Sequence, residues 1–194
     1  FENGLRHGNG VMVWADGRQY RGGWSQDMQH GKCEEVTADR TTYKGEYEMG
    51  MRHGQGLEIS VYGDEYNGDW VKGLRHGTGD YFTDGLHYQG EWKDGRRHGR
   101  AKCVFRNGDM YEGNFVEDLM EGKGTMLMAS GCKYTGAWHL GKMEGQGRLL
   151  YPSGDVYEGD FKAGSRSGFG KYTSVNGSVY EGEFKNGKRH GKGK

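Results

Sequence analysis

Residues 66–79 read Tyr-Asn-Gly-Asp-Trp-Val-Lys-Gly-Leu-Arg-His-Gly-Thr-Gly. Tyr66, Gly68 and Trp70 alternate with their neighbours, and a period of two puts all three on one face of a β-strand. The glycine between the rings leaves room for ring packing or for a second backbone. Gly73 then supplies the positive φ of a hairpin turn. A returning strand opens with Gly77 and Gly79, and Gly85 marks a second turn. One such stretch is therefore one hairpin plus a turn to the next.

The pattern extends in both directions. Tyr-x-Gly recurs at Tyr20, Tyr43, Tyr66, Tyr88, Tyr111, Tyr134, Tyr157 and Tyr180, spaced by 22 residues once and by 23 otherwise. An aromatic follows each tyrosine at +4: Trp24, Tyr47, Trp70, Trp92, Phe115, Trp138, Phe161 and Phe184. Counted from the tyrosine, glycine recurs at +2, +7, +11, +13 and near +20, and these positions hold 38 of the 39 glycines in the 194-residue chain. Glycine at that level usually signals a flexible chain, but this phasing makes it positional. A single proline and no period of three exclude collagen, and no apolar run is long enough for a transmembrane helix. Apolar residues are only 32% of the chain while aromatics are 13%, which suits a ladder of rings rather than a globular core.

The run Tyr-x-Gly-x-aromatic-x-x-Gly-x-x-His-Gly-x-Gly, complete from Tyr66 to Gly79 and from Tyr180 to Gly193, resembles the MORN repeat (membrane occupation and recognition nexus). The resemblance covers essentially the whole chain. It implies an all-β fold: an elongated, twisted single-layer antiparallel sheet of tandem ~23-residue hairpins, a rod-like solenoid. Strands about 4.8 Å apart give each repeat about 10 Å and the rod roughly 80–90 Å. The organisation expected is one array over residues 1–194, with a partial repeat at 1–19 and repeats starting at 20, 43, 66, 88, 111, 134, 157 and 180. Phe1 falls at the +4 position of a repeat whose tyrosine is missing, there is no initiator methionine, and Lys194 follows the last Gly-x-Gly. A fragment of a longer array is expected.

Several positions depart from the pattern. Asp27 and Asp118 replace the first-turn glycine and read as local turn variants. Cys33 and Ala101 replace the second glycine of Gly-x-Gly. The repeat from Tyr66 is one residue short and requires a tighter second turn. Arg40 stands where the second turn elsewhere has glycine, so the repeat from Tyr20 is expected to be the least regular.

Little in the residues points to catalysis. His7, His30, His53, His76, His98 and His190 share position +10, but neighbours lie about 10 Å apart. Zinc ligands sit ~2.0–2.1 Å from the metal, so these histidines read as hydrogen-bonding structural residues, and no metal or cofactor is expected. Glu46, Asp69, Glu91, Asp160 and Glu183 at +3 face away from the rings and read as a solvated or cross-strand row. No serine lies in a Gly-x-Ser-x-Gly elbow. Lys plus Arg and Asp plus Glu both number 27, so there is no basic excess to suggest nucleic acid. Cys33, Cys103 and Cys132 lack CxxC spacing and suit free thiols in the cytoplasm.

Two binding surfaces are expected. The ring face, with Tyr43, Tyr47, Tyr66, Trp70, Tyr88, Trp92, Tyr111, Phe115, Tyr134 and Trp138, offers an apolar groove for an amphipathic helix or extended peptide. The basic turns, with Arg52, Arg75, Arg96, Arg97, Lys188 and Arg189, offer a site for phosphoinositide headgroups. Residues 1–97 hold 12 basic and 16 acidic side chains and residues 98–194 hold 15 and 11, which would favour antiparallel or head-to-tail pairing. The Phe-rich end, with Tyr157, Phe161, Phe169, Tyr180 and Phe184, instead favours a homodimer through the C-terminal repeats, because apolar burial is less screened than charge. The number of tandem repeats resembles the MORN-only cytoskeletal proteins of protists. That likeness implies a non-enzymatic scaffold partnering cytoskeletal proteins, in the cytoplasm and peripheral to membranes. The alternatives are a phosphoinositide-binding tether and a groove for a partner helix.

Overall fold

Two turn types alternate along the chain, and they set everything else. The first joins the two strands of a repeat. It has positive φ at both central residues, as at Met49 and Gly50 (49° and 77°) or Leu140 and Gly141 (48° and 75°). That is the type I′ turn, whose twist matches the strands it joins. The glycine was expected, but the residue before it is also left-handed, whether Gln26, Lys72, Glu117 or Ala163. The second turn has a three-residue loop with a left-handed residue last, as in Ser60 to Asp64 with Gly63 at 86°. In the short repeat this loop shrinks to Asp84-Gly85 between paired Thr83 and Leu86, the tighter turn expected there.

Arg40 fits its turn despite the missing glycine. Its φ is 72°, and the Thr37–Thr41 turn keeps the same backbone hydrogen bonds as the others. The repeat from Tyr20 is thus as regular as its neighbours here, with the cost carried by a left-handed arginine. Arg40→Gly is expected to raise the unfolding free energy by about 0.5–1 kcal/mol, the ~1–2 kcal/mol left-handed penalty less the entropy glycine loses. A shift of the urea midpoint upward checks it; a downward shift would mean the arginine side chain matters more than its backbone.

The computed structural model describes all 194 residues, which divide into two units at Arg96 and Arg97. The first holds β1 (Gly8–Val13), β2 (Gln19–Ser25), β3 (Met28–Val36), β4 (Thr42–Glu48), β5 (Met51–Ile59), β6 (Glu65–Val71), β7 (Leu74–Thr83) and β8 (Leu86–Lys93). The second holds β9 (Arg96–Phe105, but for its first residue), β10 (Met110–Val116), β11 (Leu119–Leu127), β12 (Lys133–His139), β13 (Lys142–Leu150), β14 (Val156–Lys162), β15 (Ser165–Thr173), β16 (Val179–Lys185) and β17 (Lys188–Gly193). Within each unit every strand pairs antiparallel with the next in sequence. There is no helix, hence none long and apolar enough to cross a membrane. The fold class is the expected all-β array of hairpin repeats.

A bulge in each hairpin decides the register. A two-residue turn at +6 and +7 pairs Trp70 with Arg75, but beyond Asp69 and His76 the register slips, and Gly68 faces Gly79 while Tyr66 faces Tyr81. The slack is taken up at Gly77, with φ of 56°. So the two glycines of Gly-x-Gly do different work: the first turns the chain, the second makes room. The carboxylates at +3 hold the bulge, since Asp69 accepts the Thr78 N–H at 2.7 Å and Asp160 accepts the Phe169 N–H at 3.0 Å. These two are therefore clamps on the backbone rather than a merely solvated row.

The tyrosine explains the +2 glycine. Its phenol reaches over that glycine to donate to the +3 carbonyl: Tyr66 to Asp69 at 2.8 Å, Tyr134 to Ala137 at 2.8 Å, Tyr157 to Asp160 at 2.9 Å. A Cβ on Gly136 would lie 2.4 Å from the Tyr134 hydroxyl and 2.6 Å from Gly147 Cα. Burial pushes the Tyr134 phenol up to about 12, so it stays a neutral donor. The rings interlock edge to face across repeats. Tyr111–Trp138, Trp138–Tyr134 and Tyr134–Phe161 have centroids 5.3, 5.3 and 4.9 Å apart. Each such pair adds about 0.5–1.5 kcal/mol beyond its buried area.

Turns also stack on turns. The Gly73 N–H donates to Arg52 O, and the Gly141 N–H to Met120 O, each reaching into the preceding repeat. Asp27 and Asp118 strengthen this. The Asp27 carboxylate accepts Arg6 N at 2.7 Å and Nε at 2.9 Å, and the Asp118 carboxylate accepts Arg97 N and Nε at 3.0 Å each. They are inter-repeat staples and not only the local turn variants expected.

Candidate functional site

Register decides what covers the rings. Directly opposite each aromatic at +4 stands the +9 residue, and opposite each tyrosine stands the +15 residue. Directly opposed residues in an antiparallel pair share a face. This second layer lies over the ring ladder, and any partner on that face meets it first. The ten rings expected to line an open groove, from Tyr43 to Trp138, are at most 7% exposed and form the core. They support the surface instead of contributing to it.

In the first unit, from Glu35 to Arg75, the second layer is charged and closed on itself. Glu35 accepts from the Tyr47 hydroxyl at 2.8 Å and from Arg52 at 3.1 Å. Arg52 also pairs with Glu58, and Glu58 pairs with Arg75 at 2.9 Å. The side chains of this chain of charges are only 15–24% exposed. Each guanidinium also lies over rings: Arg52 stands 4.4 Å from the Tyr43 centroid and Arg75 stands 4.7 Å from that of Tyr66.

Across β11 and β13, in the second unit, the same positions are apolar. Met120 faces Phe115 and Met126 faces Tyr111. Met143 faces Trp138 and Leu149 faces Tyr134. Arg166 follows opposite Phe161, and Tyr172 opposite Tyr157. Met120, Met143, Tyr151 and Arg166 are half-buried. The sequence reading passed over this layer. The signal was the residue type at +9 and +15, but without the register nothing linked those positions to the ring face.

The basic residues expected in turns lie within strands. Arg52 is in β5, Arg75 in β7, Arg96 and Arg97 in β9, Lys188 and Arg189 in β17. Arg52 and Arg75 spend their charge on glutamates, and Arg97 on Asp118. Lys188 and Arg189 are exposed, and Arg189 lies 4.8 Å over the Tyr180 ring. Of the residues expected at a dimer contact, Tyr157, Phe161 and Phe184 are buried within the chain, and Tyr180 is half-buried. Phe169 alone is exposed, at 62%, and it faces Glu183, on the side away from the rings.

The +10 position acts on the next turn. His76 Nδ1 accepts the Asp94 N–H at 3.4 Å, Glu121 the Leu140 N–H at 3.0 Å and Glu144 the Ala163 N–H at 2.8 Å. Imidazole and carboxylate are interchangeable there because both offer an acceptor to the same donor. The hydrogen bonds from His139 and from the Leu140 amide hold the Glu121 carboxyl below its ordinary range. No three His, Cys, Asp or Glu side chains gather into a metal-binding group. Burial pushes the Cys33 and Cys103 thiols up to about 11, away from the thiolate a nucleophile needs.

The geometry defines a tandem hairpin-repeat protein, with a ring ladder inside and two side-chain faces outside. The family comparison gives the same class. The MORN repeat model matches nine consecutive times, at residues 1–17, 20–42, 43–64, 66–87, 88–110, 111–133, 134–156, 157–179 and 180–194. The chain belongs to the MORN repeat family, whose members serve as protein-interaction or membrane-associated modules. A comparison with curated proteins finds no match. Among solved structures the chain is similar to the TCP domain of SAS-4 (dCPAP) of Drosophila melanogaster in complex with a proline-rich motif of Ana2. Identity is 13%, coverage 88% of this chain and 86% of that one, and the TM-score 0.42. It is also similar to a mutant TCP10 domain of Danio rerio CPAP, at 14% identity, 92% and 94% coverage and a TM-score of 0.45.

Proposed function

We propose that the chain is a non-enzymatic scaffold that pairs with a second copy through its C-terminal repeats and organises a cytoskeletal assembly at the membrane surface. The observation that carries this is an apolar row on the face away from the rings. Val104 faces Met110, which faces Leu127 on its other side. Beyond Lys133 the row resumes through Leu150, Val156, Thr173 and Val179. Val104, Met110, Leu127 and Val179 are exposed, and Phe169 stands out on the same face. A long exposed apolar row marks an interaction surface.

Light scattering on the purified chain tests it. A dimer is expected, and Phe169→Glu, which changes an exposed side chain, is expected to raise its dissociation constant about tenfold or more. A monomer at all concentrations, or a dimer indifferent to Phe169→Glu, counts against pairing through this face. The tether reading is tested alongside by flotation with phosphoinositide-containing vesicles; recovery with the vesicles at physiological salt would favour it over the scaffold.

A further inference from the structure

Position +4 holds Trp or Phe in every repeat but one, and the exception is Tyr47. Within the first unit that phenol joins an unbroken run of oxidisable rings. Trp92 meets Tyr66 with centroids 5.2 Å apart, Tyr66 meets Trp70 at 5.2 Å, Trp70 meets Tyr43 at 5.4 Å and Tyr43 meets Tyr47 at 5.8 Å. Tyr20 reaches Tyr47 from the other side at 5.6 Å and leads on to Trp24 at 5.1 Å. All of these rings are at most 7% exposed, so the run is shielded from solutes. Indole and phenol each give up one electron to a strong oxidant, and rings in contact pass the electron deficit between them by tunnelling.

The phenols differ in where their proton goes. Tyr20, Tyr43, Tyr66 and Tyr88 donate to the backbone carbonyls of Gly23, Glu46, Asp69 and Glu91 at 2.9, 3.0, 2.8 and 2.6 Å. An amide oxygen is a very weak base, and a phenol that keeps its proton is hard to oxidise. Tyr47 donates instead to the Glu35 carboxylate at 2.8 Å, a group that accepts a proton outright. The covering arginines add a bias. Arg52 stands 4.4 Å from the Tyr43 centroid and 5.2 Å from that of Trp70, and Arg75 stands 4.7 Å from Tyr66 and 5.5 Å from Trp92. A fixed cation disfavours a radical cation on those rings. A neutral radical at Tyr47, formed with loss of the proton, escapes that repulsion.

We propose that the ring ladder of the first unit conducts a one-electron oxidising equivalent along its repeats and traps it at Tyr47. A diffusible radical oxidant takes one electron from Trp70 or Trp92 and is reduced. Tyr47 refills that indole through the rings between, and its hydroxyl proton passes to Glu35 Oε2. The products are an intact indole, a neutral Tyr47 phenoxyl and a protonated Glu35. Arg52 keeps Glu58 as its ion partner when Glu35 is neutral. The indoles that hold the fold are thereby spared oxidation. The ladder is buried within the chain, so this activity is independent of the scaffold reading.

Pulse radiolysis of the full chain in azide solution tests it, because azidyl radicals oxidise indole. Indolyl absorbance is expected to decay into phenoxyl absorbance in a first-order phase whose rate does not depend on protein concentration. Tyr47→Trp puts at +4 the residue that Trp24 and Trp70 place there. It is expected to fold, checked by circular dichroism, and to remove that phase. Glu35→Gln is expected to slow it about a hundredfold, the worth of a positioned base. Trp70→Phe sets a ring that azidyl does not oxidise between Trp92 and Tyr47, and is expected to reduce the amplitude to what Trp24 feeds in. Tyr62→Phe removes a phenol 90% exposed, and Tyr172→Phe removes the phenol that donates to Asp155 in the second unit; both are expected to leave the phase unchanged. The proposal is overturned if no concentration-independent phase appears or if it survives Tyr47→Trp. A rate indifferent to Glu35→Gln, an amplitude indifferent to Trp70→Phe, or loss of the phase in Tyr62→Phe or Tyr172→Phe overturns it too.

Discussion

Trp138→Ala is expected to lower the unfolding free energy by about 3–5 kcal/mol. The indole is 5% exposed and sits edge to face with Tyr134 in its own repeat and Tyr111 in the one before, both at 5.3 Å. Its Nε1 donates to Gly124 O at 3.3 Å. Truncation removes two ring contacts, opens a cavity between repeats and leaves that carbonyl without its indole donor. Because each repeat leans only on its neighbours, the loss should be local as well as large. Hydrogen exchange should accelerate first in β10 to β13, ahead of β16 and β17. Tyr62→Ala is the control: Tyr62 is 90% exposed on a turn, and its truncation should cost under about 0.5 kcal/mol. Equal midpoint shifts for the two variants would show that the ring ladder does not hold the fold.

Gly68→Ala should cost about 3 kcal/mol, far more than one methyl ordinarily does. The new Cβ would lie 2.5 Å from Gly79 Cα, 2.5 Å from Thr78 O and 2.8 Å from the Tyr66 hydroxyl. The first two are backbone and cannot swing away. The chain makes the same distinction among its own repeats. Position +2 is glycine in all eight, whereas Cys33 and Ala101 occupy +13. A Cβ at +13 presses chiefly on the phenol ring, as at Gly79 against Tyr66, and a side chain can shift. Gly141→Ala provides the contrast, since its φ is +75° with nothing within 4 Å of the added Cβ, and only the left-handed penalty of about 1–2 kcal/mol applies. The order of urea midpoints should be wild type, Gly141→Ala, then Gly68→Ala. Adding Tyr66→Phe to Gly68→Ala should not rescue it. If it did, the phenol rather than the paired backbone would be what excludes a side chain at +2.

The turns were legible because a left-handed φ leaves a mark in residue type. Gly73, Gly63 and Gly85 read directly as turns, and the missing residue before Tyr88 read directly as a shorter one. Arg40 shows where that reading stops: the same turn forms with φ of 72° on a residue whose type argues against it. Asp118 read as a substitute for glycine, yet its carboxylate reaches 21 positions back to Arg97. A contact between repeats leaves no mark in the local pattern.

The sequence by itself determined the repeat, its phase, the two turns and the identity of the ring ladder. Each depends on local φ preference or on the period of two along a strand, and both are properties of neighbouring residues. Which side chains cover the rings was set by tertiary pairing. The bulge at the first glycine of Gly-x-Gly slips the hairpin by two residues, so that +13 rather than +11 faces +2 and +15 rather than +13 faces the tyrosine. That slip brings the two small glycines together under the phenol. It also carries Glu58 over Tyr43 and Leu149 over Tyr134, covering one ring with charge and the other with an apolar side chain. Register is a relation between strands, and spacing along a single strand does not encode it.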